Sequence, residues 1–183
     1  MKKTGEKCRY KAVALGGTFD VFHDGHAQLL FQAFKLSELV LIGITSDQLV
    51  KTFRKAHPVQ NYRTRARRVR LFLKEHGWIR RAEIHRLADP FGPTASEENL
   101  QAVVVTSRTL PNGRKLNRER KRRGLKPLEI QTVALARGQD GAPISSTRIR
   151  NGEIDRQGRI LPRSHALLPK PNTKTGIKKV STA

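Results

Sequence analysis

Short apolar runs alternate with longer amphipathic segments along the chain. The runs are rich in leucine or β-branched residues, and Gly, Pro or polar residues bound each of them, which is typical of buried strands. We therefore predict five strands, at residues 12–15, 39–44, 83–87, 102–106 and 130–136.

The segments between these runs have helical periodicity. In one of them Ala66, Val69, Phe72 and Leu73 would share a face, and arginines cover the remainder. The predicted helices span residues 25–35, 61–76, 114–123 and 146–150. The alternation predicts an α/β, doubly wound, Rossmann-like fold: a mostly parallel five-stranded sheet with helices on both faces. Such sheets bind ligands at the carboxyl ends of their strands, near the switch in strand order.

The length and the end of the chain predict one domain with a tail. A chain of 183 residues suits a single domain with a full-sized core, which we assign to residues 1–159. After Asp155 no acidic residue follows, while lysines, arginines and three prolines continue to the end. We expect residues 160–183 to form a basic, weakly ordered tail.

The chain is strongly basic. Thirty-seven Lys+Arg against 15 Asp+Glu give a net charge of +22 at pH 7 and a pI near 11.3. Nucleic acid, anionic membrane surfaces and phosphate-rich ligands all stay open as partners. Cys8 is the only cysteine, which excludes an internal disulfide framework and a Cys-rich zinc site. No apolar stretch is long enough for a membrane span or a secretory signal, so we expect a cytoplasmic protein.

The candidate chemistry begins with one continuous run, GGTFDVFHDGH, at residues 16–26. The first predicted strand ends at Gly16 and Gly17, whose lack of side chains permits a tight turn and the close approach of a ligand. His23 and His26 open the next helix and would lie near one face of its first turn. The backbone amides and the dipole at this helix end favour a phosphate group.

The histidine pair has two other interpretations. Histidines three residues apart are often only solvated, and one of them could belong to a metal site. The sequence has no HExxH pattern, and no cysteine or third histidine lies nearby, which disfavours zinc. The complete run of strand, glycine pair, TFD and HxGH favours the phosphate site.

A second run, ISSTRIR, occupies residues 144–150. Ser and Thr are favoured at helix N-termini, where their hydroxyls cap free amides. Such hydroxyls can also turn outward and hold phosphate oxygens. Capping alone would be the simpler interpretation of an isolated run, but its occurrence with HxGH predicts the second half of a phosphate site.

Together the two runs resemble the signatures HxGH and ISSTxxR of the HxGH nucleotidyltransferase superfamily, whose members adenylylate or cytidylylate phosphorylated metabolites. The resemblance implies that His23 and His26 contact nucleotide phosphates and stabilise the transition state. It also makes Arg120 a candidate for contact with the triphosphate. The ATP-binding residues implied in this way are Gly17, Thr18, Phe19, Asp20, His23, His26, Lys115, Ser145, Ser146, Thr147 and Arg148.

Three further segments resemble one family, the archaeal and eukaryote-like phosphopantetheine adenylyltransferases. They lie at residues 87–94 (LADPFGPT), 115–130 (K-x-N, then RKRRGLKPLEI) and 140–155 (DGAPISSTRIRNGEID). The resemblance implies transfer of the adenylyl group of ATP to 4′-phosphopantetheine, by direct in-line attack, in coenzyme A biosynthesis. The products would be dephospho-CoA and pyrophosphate. The implied cofactor is Mg²⁺ held by the substrate phosphates and not by a protein cage.

The same resemblance implies an acceptor site. Superfamily members place a lysine after the second strand, so either Lys51 or Lys55 is expected at the phosphate of phosphopantetheine. Asp89 would recognise pantetheine or cap the following turn. The implied catalytic residues are His23, His26 and Lys51, and the implied phosphopantetheine-binding residues are Thr18, Lys51, Lys55, Arg65 and Asp89. A monomer is favoured over an oligomer.

Two positions depart from the family, and several alternatives stay open. Arg108, beside the expected adenine pocket, and Arg118 stand where relatives usually carry an acid. The charge also leaves open a nucleic-acid-binding protein with this fold, although aromatic residues make up only 5% and no RNP or KH pattern occurs. Cytidylyl transfer to glycerol phosphate or choline phosphate, and adenylyl transfer to nicotinamide mononucleotide, are alternatives within the superfamily.

Overall fold

The computed structural model of the chain describes residues 8–53 and 58–162. The strands are β1 (Tyr10–Gly17), β2 (Ser37–Thr45), β3 (Ala82–Leu87), β4 (Ala102–Thr106) and β5 (Glu129–Val133). The helices are α1 (Asp24–Leu36), α2 (Asp47–Thr52), α3 (Tyr62–Glu75), α4 (Leu110–Arg122) and α5 (Ser146–Arg150), with short 3-10 turns at Ile79–Arg81 and Gly92–Ala95.

The five strands form one sheet in the order β3-β2-β1-β4-β5, and every neighbouring pair is parallel. This confirms the predicted α/β fold and shows that the sheet is wholly parallel. The chain adds β2 and β3 on one side of β1, and then β4 and β5 on the other. The switch in strand order therefore lies between β1 and β4, and their carboxyl ends form the crevice in which such folds bind ligands.

Successive side chains of the strands point to opposite faces of the sheet and contribute to two apolar layers, one on each face. On one face, Leu30 of α1 and Val69 of α3 are buried against β1 and β2. On the other face, Leu116 of α4 packs with Ala14 and Val103 of the sheet.

Apart from shifts of one or two residues at the ends of elements, one strand and two helices differ from the prediction. The last strand ends at Val133 and does not continue to residue 136. Helix α4 begins at Leu110, before the predicted residue 114, and has a proline in its first turn. The six-residue helix α2 was not predicted, although its N-cap is a strong one, because the Ser46 hydroxyl accepts a hydrogen bond from the Leu49 amide at 3.1 Å.

The described part of the predicted tail is short. Ile160 forms an isolated antiparallel bridge with Ile154, and the Leu161 amide donates to the Glu153 carbonyl at 3.1 Å. Residues 163–183 lie outside the described residues, so the weak order of the tail stays a prediction. In residues 8–53 and 58–162, no helix has both the length and the apolar composition that a membrane crossing requires.

Candidate active site

A cavity of about 520 Å³ opens at the carboxyl edge of the sheet, at the switch in strand order. We call it the first cavity. Its lining comes from four parts of the chain: residues 16–20 with His23, Gly25, His26 and Leu29; Thr106, Arg108 and Thr109; residues 133–136; and residues 144–147. The two runs singled out in the sequence therefore meet in one place, although some 120 residues separate them.

His23 is the N-cap of α1, and its Nδ1 accepts a hydrogen bond from the Gly25 amide at 3.1 Å. Because Nδ1 is the acceptor, the proton of the neutral ring lies on Nε2. The residue is only 7% exposed, and this burial lowers the pKa of His23 to about 4, against a smaller opposing effect of the Asp20 charge. At neutral pH the ring is uncharged, and its Nε2 is an N–H donor suited to a phosphate oxygen.

Gly25 allows this capping geometry. A Cβ at position 25 would lie 2.9 Å from Cε1 and 3.0 Å from Nδ1 of His23. Any side chain there would push the ring out of its capping position. The glycine of HxGH is thus required by the close packing of an imidazole against the helix backbone.

His26 stacks on His23, with ring centroids 3.9 Å apart. Its ring also lies beside those of Phe19 and Phe22, at 5.1 Å and 5.6 Å. Two stacked imidazoles with aromatic rings behind them form one polar wall of the first cavity. The spacing of three residues correctly indicated a shared position on the first helical turn.

The backbone amides at the start of α1 form hydrogen bonds within the protein. The Asp24 amide donates to the Arg156 carbonyl at 3.1 Å, and the Gly25 amide donates to His23. Both amides have acceptors within the protein, so their contact with a phosphate stays a prediction. The imidazole N–H and the helix dipole remain as the attractive features of this helix end.

The sharp backbone turn lies beyond the glycine pair. Gly16 and Gly17 are the last residues of β1 and pair with β2 in regular register, so they do not form the tight turn that we expected. The left-handed conformations are at Phe19 (φ 53°) and Val21 (φ 44°). Such backbone costs about 1–3 kcal/mol per residue and persists only where the surroundings over-determine it.

Asp20, between these two residues, is used inside the protein. Its carboxylate, 1% exposed, accepts hydrogen bonds from Arg150 at 3.0–3.1 Å and from the Gln60 amide at 3.0 Å. The residue lines the first cavity as the sequence implied, but its carboxylate is occupied by these protein donors.

The hydroxyl residues of the second run both cap helix α5 and line the first cavity. Ser145 caps α5 by accepting from the Arg148 amide at 3.3 Å. Ser146 donates its hydroxyl proton to the Asp20 carbonyl at 2.5 Å, which ties the second run to the first. Both serines and Thr147 line the first cavity. Capping and lining, which the sequence left as alternatives, thus occur together.

Two arginines expected near the triphosphate are engaged elsewhere. Arg148 forms ion pairs with Asp140 and Glu153 and is not in the lining of the first cavity. Arg120 is 1% exposed and donates to the carbonyls of Thr94 and Glu97 at 2.7 Å and 2.9 Å. Both guanidinium groups stabilise loops, and their direct contact with the nucleotide stays a prediction.

A second cavity, of about 490 Å³, lies on the other side of the β1 end. Gly16, Gly17, Thr18 and Thr109 line both cavities. The second cavity is largely apolar, and its only charged lining residue among the described ones is Lys115. The structure therefore places Lys115, which we expected to bind ATP, in the second cavity and not in the first.

The residues expected to bind phosphopantetheine do not all lie in one cavity. Thr18 lies between the two cavities, whereas Lys51 is exposed in the last turn of α2 and lines neither. Lys55 lies outside the described residues. Asp89 accepts from the amides of Phe91 and Gly92 at 2.9 Å and 2.7 Å, which supports its alternative role as a turn cap. The direct roles of Lys51 and Lys55 stay predictions.

Arg65 acts on the backbone of the site. It is fully buried, and its guanidinium donates to the carbonyls of Thr18 (2.8 Å) and Gln60 (2.7 Å) and to the Asp47 carboxylate (2.8 Å). With these bonds it lines neither cavity and supports the backbone of the site, and its direct contact with the acceptor stays a prediction. Burial raises the pKa of Asp47, but hydrogen bonds from the Tyr62 backbone and from Arg65, together with the charges of Arg65 and Arg86, outweigh this effect, so the pKa lies below its ordinary value.

Two arginines of the site have roles that the sequence did not indicate, although Arg108 was expected beside the adenine pocket. Arg150 binds Asp20, and in ISSTRIR it is the arginine that ISSTxxR specifies, so the motif itself contained the signal. Among the residues that the structure describes, Arg108 is the only arginine or lysine in the lining of the first cavity. Within residues 8–53 and 58–162, nothing forms a hydrogen bond or an ion pair with its guanidinium. It is therefore available for an anionic ligand.

The described residues contain no cluster of three or more His, Cys, Asp or Glu side chains that could hold a metal ion. Asp20, an acidic residue in the lining of the first cavity, forms an ion pair with Arg150. A divalent ion at this site would have to be held mainly by ligand phosphates and water.

Comparison with known proteins gives consistent matches. Residues 14–152 match the Cytidylyltransferase-like family. A phosphopantetheine adenylyltransferase from Methanothermobacter thermautotrophicus is 41% identical over 164 residues, which cover 88% of this chain and 96% of that protein. One from Methanosarcina barkeri is 47% identical over 151 residues, covering 81% and 91%. A solved structure from Archaeoglobus fulgidus, of a protein with unknown function, superposes with a TM-score of 0.60 at 31% identity and covers 67% of this chain and 88% of that one.

Proposed function

The chain belongs to the cytidylyltransferase-like family, and from this premise we propose that it is a phosphopantetheine adenylyltransferase, an enzyme of coenzyme A biosynthesis. It joins ATP and 4′-phosphopantetheine to give dephospho-CoA and pyrophosphate. The observation that carries the proposal is the meeting of the two runs in one cavity, which opens across Thr18 toward a second, largely apolar cavity.

The two cavities suit the two substrates. The first cavity offers the Nε2–H of His23, the hydroxyl of Ser145 and the unpaired Arg108, which together fit a nucleotide with its phosphates. The second cavity offers apolar walls, including Phe53 and Phe91, and, among the residues that the structure describes, one cation, Lys115. A long uncharged arm with one phosphate at its end matches that composition. Both phosphates would meet near Thr18, where the cavities join.

The reaction places few demands on acid–base chemistry. A phosphate oxygen of the acceptor attacks the α-phosphorus of ATP; an O–P bond forms to the acceptor while the bond to the β-phosphate oxygen breaks, and pyrophosphate leaves with the electron pair. The nucleophile is already anionic at neutral pH, so no general base is needed. Catalysis then consists of positioning and stabilisation of negative charge.

His23 suits the second of these tasks. Its ring is fixed by the Gly25 hydrogen bond, so its Nε2–H points in one direction before the nucleotide arrives. A preorganised donor needs no reorganisation when charge shifts toward the leaving pyrophosphate. A neutral ring also leaves the phosphate charge to be balanced by Arg108 and by a metal.

We propose that Mg²⁺ enters bound to the ATP phosphates, where it would neutralise charge between them. Cytoplasmic location and a monomeric state stay predictions from the sequence.

Comparison of substrate pairs tests the proposed function. Pyrophosphate release should be fast with ATP and 4′-phosphopantetheine, and near background with CTP and glycerol 3-phosphate or with ATP and nicotinamide mononucleotide. Dephospho-CoA should appear in the same amount as pyrophosphate. Faster turnover with either of the other pairs would reject the substrate assignment while retaining the reaction type.

A specific surface favours a second function, the binding of nucleic acid. Exposed Arg63, Arg67, Arg70 and Lys74 follow one another along α3 at spacings of four, three and four residues, and form a stripe of about 16 Å. In the described residues, none of these four side chains has an ion-pair or hydrogen-bond partner. Like charges at this spacing destabilise a helix by about 0.2–0.5 kcal/mol per pair, which a bound polyanion would offset.

Salt dependence tests this second function. The probe is a single-stranded RNA oligomer, whose association constant K falls as the salt concentration rises. Replacing all four α3 cations by glutamine should make the negative slope of log K against log salt shallower by about 3. The same exchange at Arg114, Arg118 and Lys121 of α4 serves as the control, and adenylyl transfer should persist at salt that abolishes RNA binding. An unchanged slope in the α3 variant would rule out the stripe as a nucleic-acid site.

A further inference from the structure

The ion pair between Asp20 and Arg150 joins the two runs directly. Arg150 donates from Nε to one carboxylate oxygen at 3.1 Å and from Nη2 to the other at 3.0 Å. The side chain of Asp20 is 1% exposed and that of Arg150 is 27% exposed. A two-point contact between a planar guanidinium and a buried carboxylate fixes orientation as well as distance. Helix α5 is thereby held in one place relative to the first run.

Three further hydrogen bonds converge on the same point. Ser146 donates to the Asp20 carbonyl at 2.5 Å. The Gln60 amide donates to the Asp20 carboxylate at 3.0 Å, and the Gln60 side-chain oxygen accepts from the Val21 amide at 3.3 Å. Asp20 is therefore the residue at which the first run, the second run and the segment before α3 meet.

The location of Asp20 makes this junction matter for catalysis. Phe19 and Val21, on either side of it, both have left-handed backbone conformations, at φ 53° and φ 44°. The turn they form leads from Thr18, at the junction of the cavities, to His23. Loss of the anchoring contacts would let the turn relax, and Thr18 and His23 would move with it.

We propose that Asp20 and Arg150 are a positioning pair for adenylyl transfer. The inference rests on the proposed function and adds two residues to it. The pair contacts no substrate; it holds Thr18 and His23 of the first run opposite Thr147 of the second. The carboxylate has its oxygens bound to Arg150 and Gln60, which is the reason that it acts on the protein and not on a metal or a ribose.

A double-mutant cycle tests the pair. The variants are Asp20→Asn, Arg150→Gln and the double substitution, and kcat and KM are measured for both substrates. A displacement of about 1 Å in an active site can lower turnover about 100-fold, so we expect a loss of that size in kcat for each single variant, with a much smaller change in the KM of phosphopantetheine. Because the two residues act as one unit, the double variant should be no slower than the slower single variant.

Two outcomes would overturn the proposal. Losses that multiply to about 10,000-fold in the double variant would show that Arg150 acts independently of Asp20, as it would by touching the nucleotide. A single variant with unchanged kcat would show that the junction does not position the site. Arg150→Lys should be intermediate, because a lysine keeps the charge but only one point of contact.

Three controls are needed, because misfolding of a variant or a wrong substrate assignment could be mistaken for failure of the positioning pair. Arg159→Gln removes an exposed ion pair, that with Asp155, and should leave kcat unchanged. If Arg150→Gln does not fold, as judged by its melting curve, Arg150→Lys with Asp20→Asn completes the cycle. ATP affinity, measured by calorimetry on the same proteins, should also fall non-additively. Wild-type protein without turnover overturns the proposed function, whereas additive losses of ATP affinity overturn the pair.

Discussion

His23 and His26 stack their imidazole rings with centroids 3.9 Å apart and planes inclined by 26°. Two protonated rings at that distance would repel each other, and the buried His23 is neutral at physiological pH, because burial lowers its pKa to about 4. The pair thus gives the cavity a wall of hydrogen-bonding groups. In our account the negative charge of the nucleotide is met mainly by Arg108, by magnesium and by the helix dipole.

Replacement of His26 by alanine should abolish most turnover and leave the fold intact. Removal of one preorganised contact to a reacting phosphate typically lowers kcat by about 100- to 1000-fold. The ring is only partly buried, and its loss should shift the melting temperature little. Steady-state kinetics with a melting curve measures both effects. A well-folded His26→Ala protein with near-normal rates would remove the proposed role of the HxGH helix.

The low pKa of His23 predicts a dependence of stability on pH. In the unfolded chain the imidazole gains a proton near pH 6.5, whereas in the folded protein it does so only near pH 4. The unfolded state therefore binds more protons between these values, and stability falls as the pH is lowered through this window. From pH 7 to pH 5 the contribution lost is about 2 kcal/mol.

His23→Asn isolates this contribution, because asparagine is a good N-cap and does not titrate. Urea unfolding of both proteins at pH 5 and pH 7 gives the comparison. The free energy of unfolding of the variant should fall by about 2 kcal/mol less than that of the wild type over this interval. Equal pH dependence in the two proteins would show that His23 is not buried in its neutral form.

Gly25→Ala should separate activity from stability. Alanine is favoured over glycine in a helix by about 1 kcal/mol, but its Cβ would lie 2.9 Å from the His23 ring. We expect the ring to leave its capping position, with a loss of about tenfold or more in kcat, while cooperative unfolding is retained. Kinetics and thermal melting test this, and a fully active variant would contradict the requirement for a closely packed imidazole.

Arg108 and Lys115 should affect different substrates. Arg108 lines the first cavity and Lys115 the second. A charge-assisted hydrogen bond is worth about 1.5–3 kcal/mol, so Arg108→Ala should raise the KM of ATP roughly tenfold to hundredfold, with little effect on the acceptor. Lys115→Ala should do the reverse. Initial rates measured with each substrate varied in turn give both KM values, and each variant is the control for the other. The opposite pattern would show that the nucleotide occupies the second cavity and the acceptor the first.

The sequence predicted the fold well because its signals are local. Strand 102–106 and helix 146–150 were placed at their observed ends, since β-branched runs and Ser caps mark them clearly. Strand β5 was extended too far for a physical reason. Ala134, Leu135 and Ala136 continue the apolar run, but they line the first cavity. An apolar residue that faces a ligand space has the same pattern as one inside a sheet.

The roles of individual arginines could not be predicted in the same way. Arg65, Arg120 and Arg150 bind carbonyls or a carboxylate of the protein, whereas Arg108 faces a cavity. In a chain with 37 Lys+Arg, residue type carries almost no information about which cation is buried. These roles depend on partners distant in sequence, as the separation of 130 residues between Arg150 and Asp20 illustrates.

The central claim is that residues 16–26 and 144–150 bind one nucleotide between them. It is tested most directly by a crystal structure with α,β-methylene ATP, a non-cleavable analogue. We predict its triphosphate in the first cavity, with Nε2 of His23 about 3 Å from a phosphate oxygen and Thr147 lining the same ligand. A nucleotide seated elsewhere, with its phosphates contacting neither run, would contradict the account.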